Sequence, residues 1–362
     1  MKIGIPKEIK NNEYRVGLTP DSVKKLTEKN NEVFIETNAG AGIGFSDTDY
    51  QSAGAIVLDS ASKVYSESEL IVKVKEPMPE EFQYLSNQHT LFTYFHLAGN
   101  KEQAKELVKT GITAIAYETV TADDGSLPLL APMSAIAGQI GFVVGSYFLL
   151  KPNKGIGVLL DSIGDIEPRV VTVIGAGVAG TEAIKKAAAS GAYVKIIDLS
   201  EEKLQQLRQT FGEDKIEYII STPETVAAAL VSSDLVIGSV YVIGKEAPKV
   251  ITKEMISKMK PGSVLVDIAI DQGGCIETSK PTTHDDPVFI HDDVIHYCVT
   301  NMPGAVPLTA TLALNKATMP FIEMLAKEGI NKALEADQHL ANGLNMKNGE
   351  IIHPAIKEAL GL

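Results

Sequence analysis

The feature that most constrains the fold is the alternation of short apolar runs with helical patterns along most of the chain. The runs are rich in Ile, Val and Phe and lie too far apart for two-residue hairpins. Thr19-Pro20 between two of them is typical of a helix start. Such an order predicts mostly parallel sheets covered on both faces. We expect strands at 2–6, 32–36, 55–58, 70–74, 91–95 and 112–117, and again at 170–174, 192–197, 235–237, 264–268 and 294–299.

A chain of 362 residues is too long for one ordinary core, so about two domains are expected. The apolar segment 133–150 holds polar residues and three glycines, which favours a buried linking helix over a membrane span. The tail, 309–362, lacks strand signals and is predicted to be helical. We therefore predict an α/β fold of two domains with parallel sheets joined by a long helix. Residues 1–128, completed by the tail helices, form the substrate domain, and residues 129–308 form the other.

A glycine pattern in the second domain has an informative context. Gly175, Gly177 and Gly180 form G-x-G-x-x-G after an apolar strand and before an alanine-rich helix, and the next strand ends at Asp198. The glycines permit a tight turn, close approach of a pyrophosphate and close helix packing, while helix amides would hold phosphates. Asp198 would accept hydrogen bonds from ribose hydroxyls and repel a 2′-phosphate. The unit predicts a Rossmann domain that binds NAD; the alternative is a structural glycine turn with a surface aspartate.

Four charged or titratable residues follow predicted strands. Arg15 lies after the first strand, Lys75 and His96 directly end apolar runs, and Asp271 follows the run at 264–268. Open α/β sheets bind ligands at the carboxyl ends of their strands. Arg15 suits a substrate carboxylate, and His96 suits proton transfer near neutral pH. The alternatives are a surface arginine, a structural histidine and an aspartate that caps a loop.

Charge and cysteine content exclude several classes of function. The chain has 33 Lys+Arg against 46 Asp+Glu, a net charge of −13, and no basic run. Nucleic acid and anionic membranes are therefore not expected as partners. Cys275 and Cys298 lack a C-x-x-C partner, and the start of the chain has no apolar signal core, so we expect a cytoplasmic protein with free thiols.

Histidines and aspartates between 284 and 296 suggest a metal cluster at first sight. Their spacing matches no compact ligand motif, so a polar loop is the favoured interpretation and no metal is expected. The residues are His284, Asp285, Asp286, His291, Asp292, Asp293 and His296.

Six stretches between residue 1 and about residue 329 carry a recognisable pattern. They are 11–20 (NNEYRVGLTP), 40–50 (GAGIGFSDTDY), 72–77 (VKVKEP), 91–98 (LFTYFHLA), 266–286 (VDIAIDQGGCIETSKPTTHDD) and 296–307 (HYCVTNMPGAVP). In these stretches the chain resembles the alanine dehydrogenase family, and more distantly the alpha subunit of proton-translocating nicotinamide nucleotide transhydrogenase.

The resemblance implies a reaction and roles for individual residues. The reaction is the reversible oxidative deamination of L-alanine by NAD to pyruvate and ammonia. Arg15 would pair with the substrate carboxylate, and Lys75 would bind the carboxylate or polarise the pyruvate carbonyl. His96 would be the general acid and base, Asp271 would assist proton transfer through water, and Asn301 would order the site.

The resemblance also implies a homohexamer, an active site in a cleft between the domains, and further contacts with NAD. These contacts are Ser134, Val178, Ala179, Lys203, Ser221, Val240, Ile268, Ala269, Ile270, Asp271, Lys280, Val299, Asn301 and Met302. Ala135 and Gln139 stand where the family usually has an acidic and a basic residue, and the linker at 160–165 is altered. These departures bear on domain closure, packing and KM. Two alternatives stay open: a nucleotide-binding subunit without catalysis, of the transhydrogenase type, and a dehydrogenase of another small amino acid.

Overall fold

Strands and helices alternate along the part of the chain that the computed structural model describes, residues 1–99, 101–242 and 246–362. The strands are β1 (Lys2–Ile5), β2 (Glu32–Glu36), β3 (Ile56–Leu58), β4 (Leu70–Val72), β5 (Thr90–Thr93), β6 (Thr113–Ala116), β7 (Val170–Ile174), β8 (Tyr193–Asp198), β9 (Ile216–Ile220), β10 (Leu235–Gly238), β11 (Val264–Asp267), β12 (Val288–His291), β13 (Val294–Tyr297), β14 (Leu344–Lys347) and β15 (Glu350–Ile351).

The α-helices occupy the segments between these strands and most of the tail. They are α1 (Pro20–Thr27), α2 (Asp47–Ser52), α3 (Ala61–Glu67), α4 (Lys101–Thr110), α5 (Ala131–Phe148), α6 (Val178–Ala189), α7 (Glu201–Phe211), α8 (Pro223–Ser232), α9 (Lys253–Ile256), α10 (Pro307–Glu328), α11 (Ile330–Ala336), α12 (Gln338–Asn342) and α13 (Pro354–Leu360). In the described residues, no helix has the length and apolar character needed to cross a membrane.

The chain divides into two units, each with its own sheet. The first unit consists of Met1–Met133 and Gly304–Leu362, and the second of Ser134–Pro303. The predicted α/β class with mostly parallel sheets is confirmed. The chain passes from the first unit to the second within α5.

The first unit has an eight-stranded sheet in the order β15-β14-β6-β5-β4-β1-β2-β3. The strands β1 to β6 all pair in parallel, and their apolar side chains form its core because helices cover both faces. The expectation of an all-helical tail is wrong at residues 344–351, because β14 and β15 form an antiparallel hairpin that extends this sheet beside β6. The hairpin turns at Asn348 and Gly349, both with positive φ.

The second unit has a seven-stranded sheet in the order β12-β13-β11-β10-β7-β8-β9. All neighbours are parallel except the edge pair β12 and β13. Two of its strands, β9 and β12, were not among the predicted ones. Both cysteines of the chain, Cys275 and Cys298, are buried in this unit as free thiols.

The suggested metal cluster is spread over different elements of this unit. Asp292 and Asp293 form the tight turn between β12 and β13, with φ of 49° and 59°. His296 lies inside β13 and is fully buried. Among the residues that the structure describes, no group of three or more His, Cys, Asp or Glu is arranged to hold a metal ion.

Candidate active site

In the first unit, Arg15, Lys75 and His96 follow three strands that lie side by side. The order β5-β4-β1 places the loops that carry them next to one another at the carboxyl edge of the sheet. The chain order of the strands reverses between β1 and β4, which is the position where open α/β sheets bind ligands. The topology therefore places these three predicted residues on one edge.

Arg15 is a buried cation with an acidic partner. Its side chain is 2% exposed, so the alternative of a surface arginine is wrong. Nε and Nη2 donate to the two carboxylate oxygens of Glu13 at 2.7 and 2.6 Å, and Nη1 lies 3.2 Å from the Met133 sulfur. Burial by itself lowers the pKa of Arg15, but its hydrogen bonds and the charge of Glu13 outweigh burial and raise the pKa. Arg15 therefore stays protonated while it is paired with Glu13.

The segment after Arg15 is fixed against β4 and α10. A Cβ at Gly17 would overlap the carbonyl oxygen of Val72, so only glycine allows this close approach. Asn315 of α10 accepts from Thr19 N at 2.8 Å and donates to the carbonyl of Gly17 at 3.0 Å. The long helix of the tail thus holds the loop that carries the arginine.

Lys75 is also buried, at 5% exposure, and lies beside an acidic residue. Its Nζ is 3.8 Å from Glu76 Oε2, while Lys10 Nζ donates to Glu76 Oε1 at 2.6 Å. Burial by itself raises the pKa of Glu76, but the electrostatic effects of Lys75, Lys10 and His96 outweigh burial and lower the pKa to about 2. Glu76 is therefore an anion at neutral pH, and it lies beside the ammonium of Lys75.

His96 has an unusual backbone. Its φ is 50°, in the left-handed region, which costs a non-glycine residue about 1–2 kcal/mol. Its ring stacks on Tyr94 with centroids 5.9 Å apart, and the Tyr94 hydroxyl donates to the carbonyl of Leu129 at 2.6 Å. Strained residues of this kind persist where the surroundings enforce them, often at functional sites.

Two carboxylates that the sequence did not single out accept hydrogen bonds from the backbone beside Lys75 and His96. Glu118 accepts from His96 N at 2.6 Å and from Phe95 N at 3.1 Å. Glu8 accepts from Val74 N at 2.6 Å and from Lys75 N at 3.3 Å.

Glu8 also takes part in a buried network. Lys73 Nζ donates to Glu8 at 3.1 Å and to Glu81 at 2.9 Å, and the Tyr65 hydroxyl donates to Glu81 at 2.8 Å. Burial by itself lowers the pKa of Lys73, but the two carboxylates outweigh burial and raise the pKa. Lys73 therefore stays a cation, paired with Glu8 and Glu81, two residues before Lys75.

In the second unit, the glycine pattern lies between β7 and α6 as predicted. Gly175 has φ of 95°, a conformation open to glycine. A Cβ at Gly180 would overlap the carbonyl oxygen of Gly175, whereas a Cβ at Gly177 would meet no atom within 4 Å. The first glycine is thus required by its backbone conformation and the third by packing, while Gly177 leaves open space beside the backbone.

The start of α6 suits an anion. Gly177 is its N-cap residue and provides no side-chain hydrogen bond, whereas α7, α8 and α9 are capped by Ser200, Thr222 and Thr252. First-turn amides without a side-chain cap can donate to phosphate oxygens. The residues present therefore fit the pyrophosphate of a dinucleotide, with Val178 and Ala179 in the first turn as predicted.

Asp198 ends β8 beside this turn. Its carboxylate accepts from Ala176 N at 2.6 Å and from Ser200 N at 2.9 Å. These two amides fix the carboxylate at the carboxyl edge of the sheet, where the sequence predicted a group for ribose hydroxyls.

Most other predicted cofactor contacts follow strands of the same sheet. The carboxyl ends of parallel strands lie at one edge of a sheet. The predicted cofactor contacts that follow β9, β10, β11 and β13 therefore lie at the same edge of this sheet. Ser221 follows β9, Val240 follows β10, Ile268, Ala269, Ile270 and Asp271 follow β11, and Val299, Asn301 and Met302 follow β13, while Ser134 lies in α5, Lys203 in α7 and Lys280 in the loop before β12. The ammonium of Lys280 lies 4.4 Å from the centre of the Phe289 ring.

Asp271 and Asn301 are direct neighbours. The backbone N–H of Asn301 lies 3.2 Å from each carboxylate oxygen of Asp271, and the ring of His284 donates to the Asn301 carbonyl at 3.2 Å. Asn301, like His96, has a left-handed backbone, with φ of 59°. Two predicted residues of the second unit thus form one polar group.

Asp267 holds the segment that carries Asp271. It is fully buried and accepts from Cys275 N, Ile276 N and the Ser279 hydroxyl at 3.2, 3.2 and 2.6 Å. It also caps the short 3-10 helix Ile268–Gln272, which carries Asp271. Burial, reinforced by Asp267, raises the pKa of the Cys275 thiol well above its usual value.

Comparison with known proteins agrees with these features. The family described as alanine dehydrogenase/PNT matches with its N-terminal domain at residues 4–137 and its C-terminal domain at residues 141–354. The chain belongs to the alanine dehydrogenase/PNT family. This confirms the resemblance seen in the sequence.

Members of the alanine dehydrogenase/PNT family match along their whole length. An alanine dehydrogenase of Halomonas elongata is 49% identical over 362 residues, which are 100% of this chain and 97% of the relative. The solved structure of an L-alanine dehydrogenase has a TM-score of 0.94 at 47% identity and covers 100% of this chain and 99% of its own. A transhydrogenase from Sinorhizobium meliloti has a TM-score of 0.83 at 26% identity, covering 97% and 100%. The chain is an oxidoreductase of this family and uses a nicotinamide nucleotide.

The departures from the family pattern lie in the second unit. Gln139 of α5 donates to Glu182 of α6 at 2.6 Å. A Cβ at Gly138 would overlap the carbonyl oxygen of Ala179, so these two helices are in backbone contact. The uncharged Gln139 therefore has a defined partner.

Proposed function

We propose that the chain catalyses the reversible oxidation of L-alanine with NAD to pyruvate, ammonia and NADH. One observation carries this proposal. Arg15, Lys75 and His96 follow three adjacent strands at one sheet edge, in a chain that is 49% identical over its whole length to an alanine dehydrogenase. The three residue types supply what the reaction needs: cations for a carboxylate and a group that exchanges protons near neutral pH.

The first unit would bind and deprotonate the substrate. Nη1 and Nη2 of Arg15 would pair with the carboxylate, and the Lys75 ammonium would bind a carboxylate oxygen or polarise the carbonyl of pyruvate. The amine must lose a proton before hydride leaves the α-carbon, and His96 would accept that proton. Glu76 would balance the positive charge that gathers around these groups.

The second unit would bind the nucleotide. Gly177 and the first-turn amides of α6 fit the pyrophosphate, and Asp198 would accept from the ribose hydroxyls. The negative charge of Asp198 opposes a 2′-phosphate, which is our reason to propose NAD over NADP. The nicotinamide ring, when bound, supplies the hydride acceptor.

Asp271 and Asn301 would order the nicotinamide end of this site. The carboxylate of Asp271 is fixed by the Asn301 amide and stays an acceptor for a water molecule. We propose that such a water attacks the imine carbon of the oxidised substrate, with Asp271 assisting transfer of the water's proton. His96 would then return its proton to the substrate nitrogen, so that ammonia leaves and pyruvate forms. Ser134, Lys203, Ser221, Val240, Ile268, Ala269, Ile270, Lys280, Val299 and Met302 would provide further contacts with NAD.

The test is a panel of amino acids and cofactors with the purified chain. Alanine, serine, glycine, 2-aminobutyrate and lysine are each supplied with NAD or NADP, and absorbance at 340 nm follows reduction. We expect the largest kcat/KM with alanine and NAD. Preference for another amino acid would move the proposal to that substrate. NAD binding in calorimetry without turnover of any amino acid would instead support a transhydrogenase-type subunit.

Two further proposals concern the assembly and the compartment. We propose a homohexamer, as the family resemblance implies. We also propose a cytoplasmic location, because the free buried thiols fit a reducing compartment. Light scattering of the purified chain measures the first, and a fluorescent fusion in cells locates the second.

A further inference from the structure

The loops that follow β4 and β5 both contain backbone N–H groups that need an acceptor beyond the ends of these strands. Backbone hydrogen bonds between the two segments continue as far as Lys73 N, which donates to Phe92 O, and Tyr94 N, which donates to Val74 O. The N–H groups that follow in each loop donate to side chains and not to a neighbouring strand. Buried N–H groups without an acceptor destabilise a fold. These groups belong to Val74 and Lys75 in one loop and to Phe95 and His96 in the other.

Each loop is held by a carboxylate from the loop of the strand that flanks the β4–β5 pair on that side. In the order β6-β5-β4-β1, Glu118 comes from the loop after β6 and reaches the amides after β5. Glu8 comes from the loop after β1 and reaches the amides after β4. In both cases the shortest N···O distance is 2.6 Å. The same arrangement thus occurs on both sides of the β4–β5 pair.

We propose that Glu118 and Glu8 are positioning residues, which hold His96 and Lys75 by their backbone amides for the proposed reaction. A carboxylate that accepts two successive N–H groups makes charge-assisted hydrogen bonds and fixes the peptide between them. For His96 it fixes a left-handed backbone that the residue would otherwise leave. The inference rests on the proposed function, because it takes the roles of His96 and Lys75 from there.

The two carboxylates should therefore have different kinetic signatures. Glu118 holds the proton-transfer residue, so its loss slows chemistry. Glu8 holds the residue that binds substrate, so its loss weakens binding. A displacement of about 1 Å in such a site can lower the rate about 100-fold.

The experiment compares Glu118→Ala, Glu118→Gln and Glu8→Gln with wild type in the full chain. With Glu118→Ala we expect kcat for alanine to fall about 100-fold with little change in KM, and the solvent deuterium isotope effect on kcat to rise. Glu118→Gln keeps one acceptor oxygen and should recover about tenfold of this loss. Glu8→Gln should raise KM for alanine about tenfold and lower kcat less.

Glu69→Gln is the matched control. Glu69 also accepts from a backbone amide, that of Lys2 at 3.3 Å, but at the amino ends of β1 and β4. We expect its kinetics to equal those of wild type. If Glu118→Ala does not fold, the isosteric Glu118→Gln carries the comparison.

Hydrogen exchange measured by mass spectrometry separates this inference from the proposed function. Glu118→Gln should speed exchange in peptides that cover 91–99 and leave those that cover 170–198 unchanged, whether or not alanine is the substrate. Unchanged exchange at 91–99 overturns the inference. So does a fall in kcat with the KM and isotope effect of wild type, because that result means only fewer folded active sites. Absence of alanine turnover in wild type would overturn the proposed function alone.

Discussion

In the first unit the strands β3-β2-β1-β4-β5-β6 lie side by side, and in the second unit β9-β8-β7-β10-β11-β13 repeat the same order. The carboxyl edges of the two sheets nevertheless differ in chemistry. In the first unit the loops carry buried charged side chains, Arg15 and Lys75, and the titratable His96. In the second unit the corresponding loop after β7 carries glycines and helix amides.

The difference shows what the strand order determines and what it leaves to the loops. The order creates an edge at which loops from adjacent strands meet. Side chains on that edge suit a small substrate whose protons must move, whereas bare backbone suits the phosphates of a large cofactor. Substitutions in the loop after β5 of the first unit and in the loop after β7 of the second should therefore separate catalysis from nucleotide binding.

The largest effect is expected at His96. Asparagine tolerates a left-handed backbone but does not titrate near neutral pH, so His96→Asn should keep the loop and remove proton transfer. We expect kcat to fall about 10²- to 10⁴-fold. NAD binding, measured by calorimetry, should not change. Full activity of this variant would mean that the first edge does not carry the proton transfer.

His296 of the second unit provides a contrast with His96, because it is buried within strand β13 and not in a loop at the edge of the sheet. Burial lowers the pKa of His296 to about 4, with Nδ1 donating to Val294 O at 3.0 Å and Nε2 2.8 Å from the Thr278 hydroxyl. The unfolded chain binds this proton near its usual pKa of 6.5, so between pH 6.5 and 4 the unfolded state holds more protons. His296 thus contributes stability above pH 6.5 that is lost on acidification, up to about 3 kcal/mol.

The measurement is denaturant unfolding at several pH values. His296→Gln should have a shallower dependence of the free energy of unfolding on pH between 6.5 and 4, with kinetics near those of wild type at pH 8. An unchanged slope would show that other groups produce the acid sensitivity.

The smallest effects are expected from two glycines of the second edge. Gly177→Ala meets open space, so stability should fall by less than about 1 kcal/mol. The new methyl group fills the space proposed for the pyrophosphate and should weaken NAD binding about tenfold, as much as one lost charged hydrogen bond. Gly180→Ala overlaps the Gly175 carbonyl and should cost about 1–3 kcal/mol of stability. Calorimetry and thermal unfolding give both values; equal NAD affinity in Gly177→Ala and wild type would contradict the assignment.

Sequence patterns predicted those strands whose bounds depend on neighbouring residues in the chain, and missed those that depend on distant partners. The strands at 32–36 and 170–174 have the predicted bounds, because each is built around β-branched or aromatic residues and is followed by a turn residue, Asn38 or Gly175. The hairpin of β14 and β15 was missed although Asn348-Gly349 is a strong turn signal. Its strands have four and two residues, so periodicity is too short to detect, and pairing with β6 decides their structure.

The candidate site shows the same limit. Arg15, Lys75 and His96 were found because each follows an apolar run. Glu8 and Glu118 were not found, because their partners lie 66 and 22 residues away in the chain. A carboxylate that binds backbone amides leaves no spacing rule in the sequence, and only the order of strands brings it into contact.

The burial of both thiols in the second unit has a practical consequence. Burial raises the pKa of Cys298 to about 12, and Cys275 is shielded in the same sheet, so a folded chain offers no thiolate to an alkylating reagent. The first unit contains no cysteine at all. The rate of alkylation therefore reports how often the second unit opens, independently of the first unit, which carries His96.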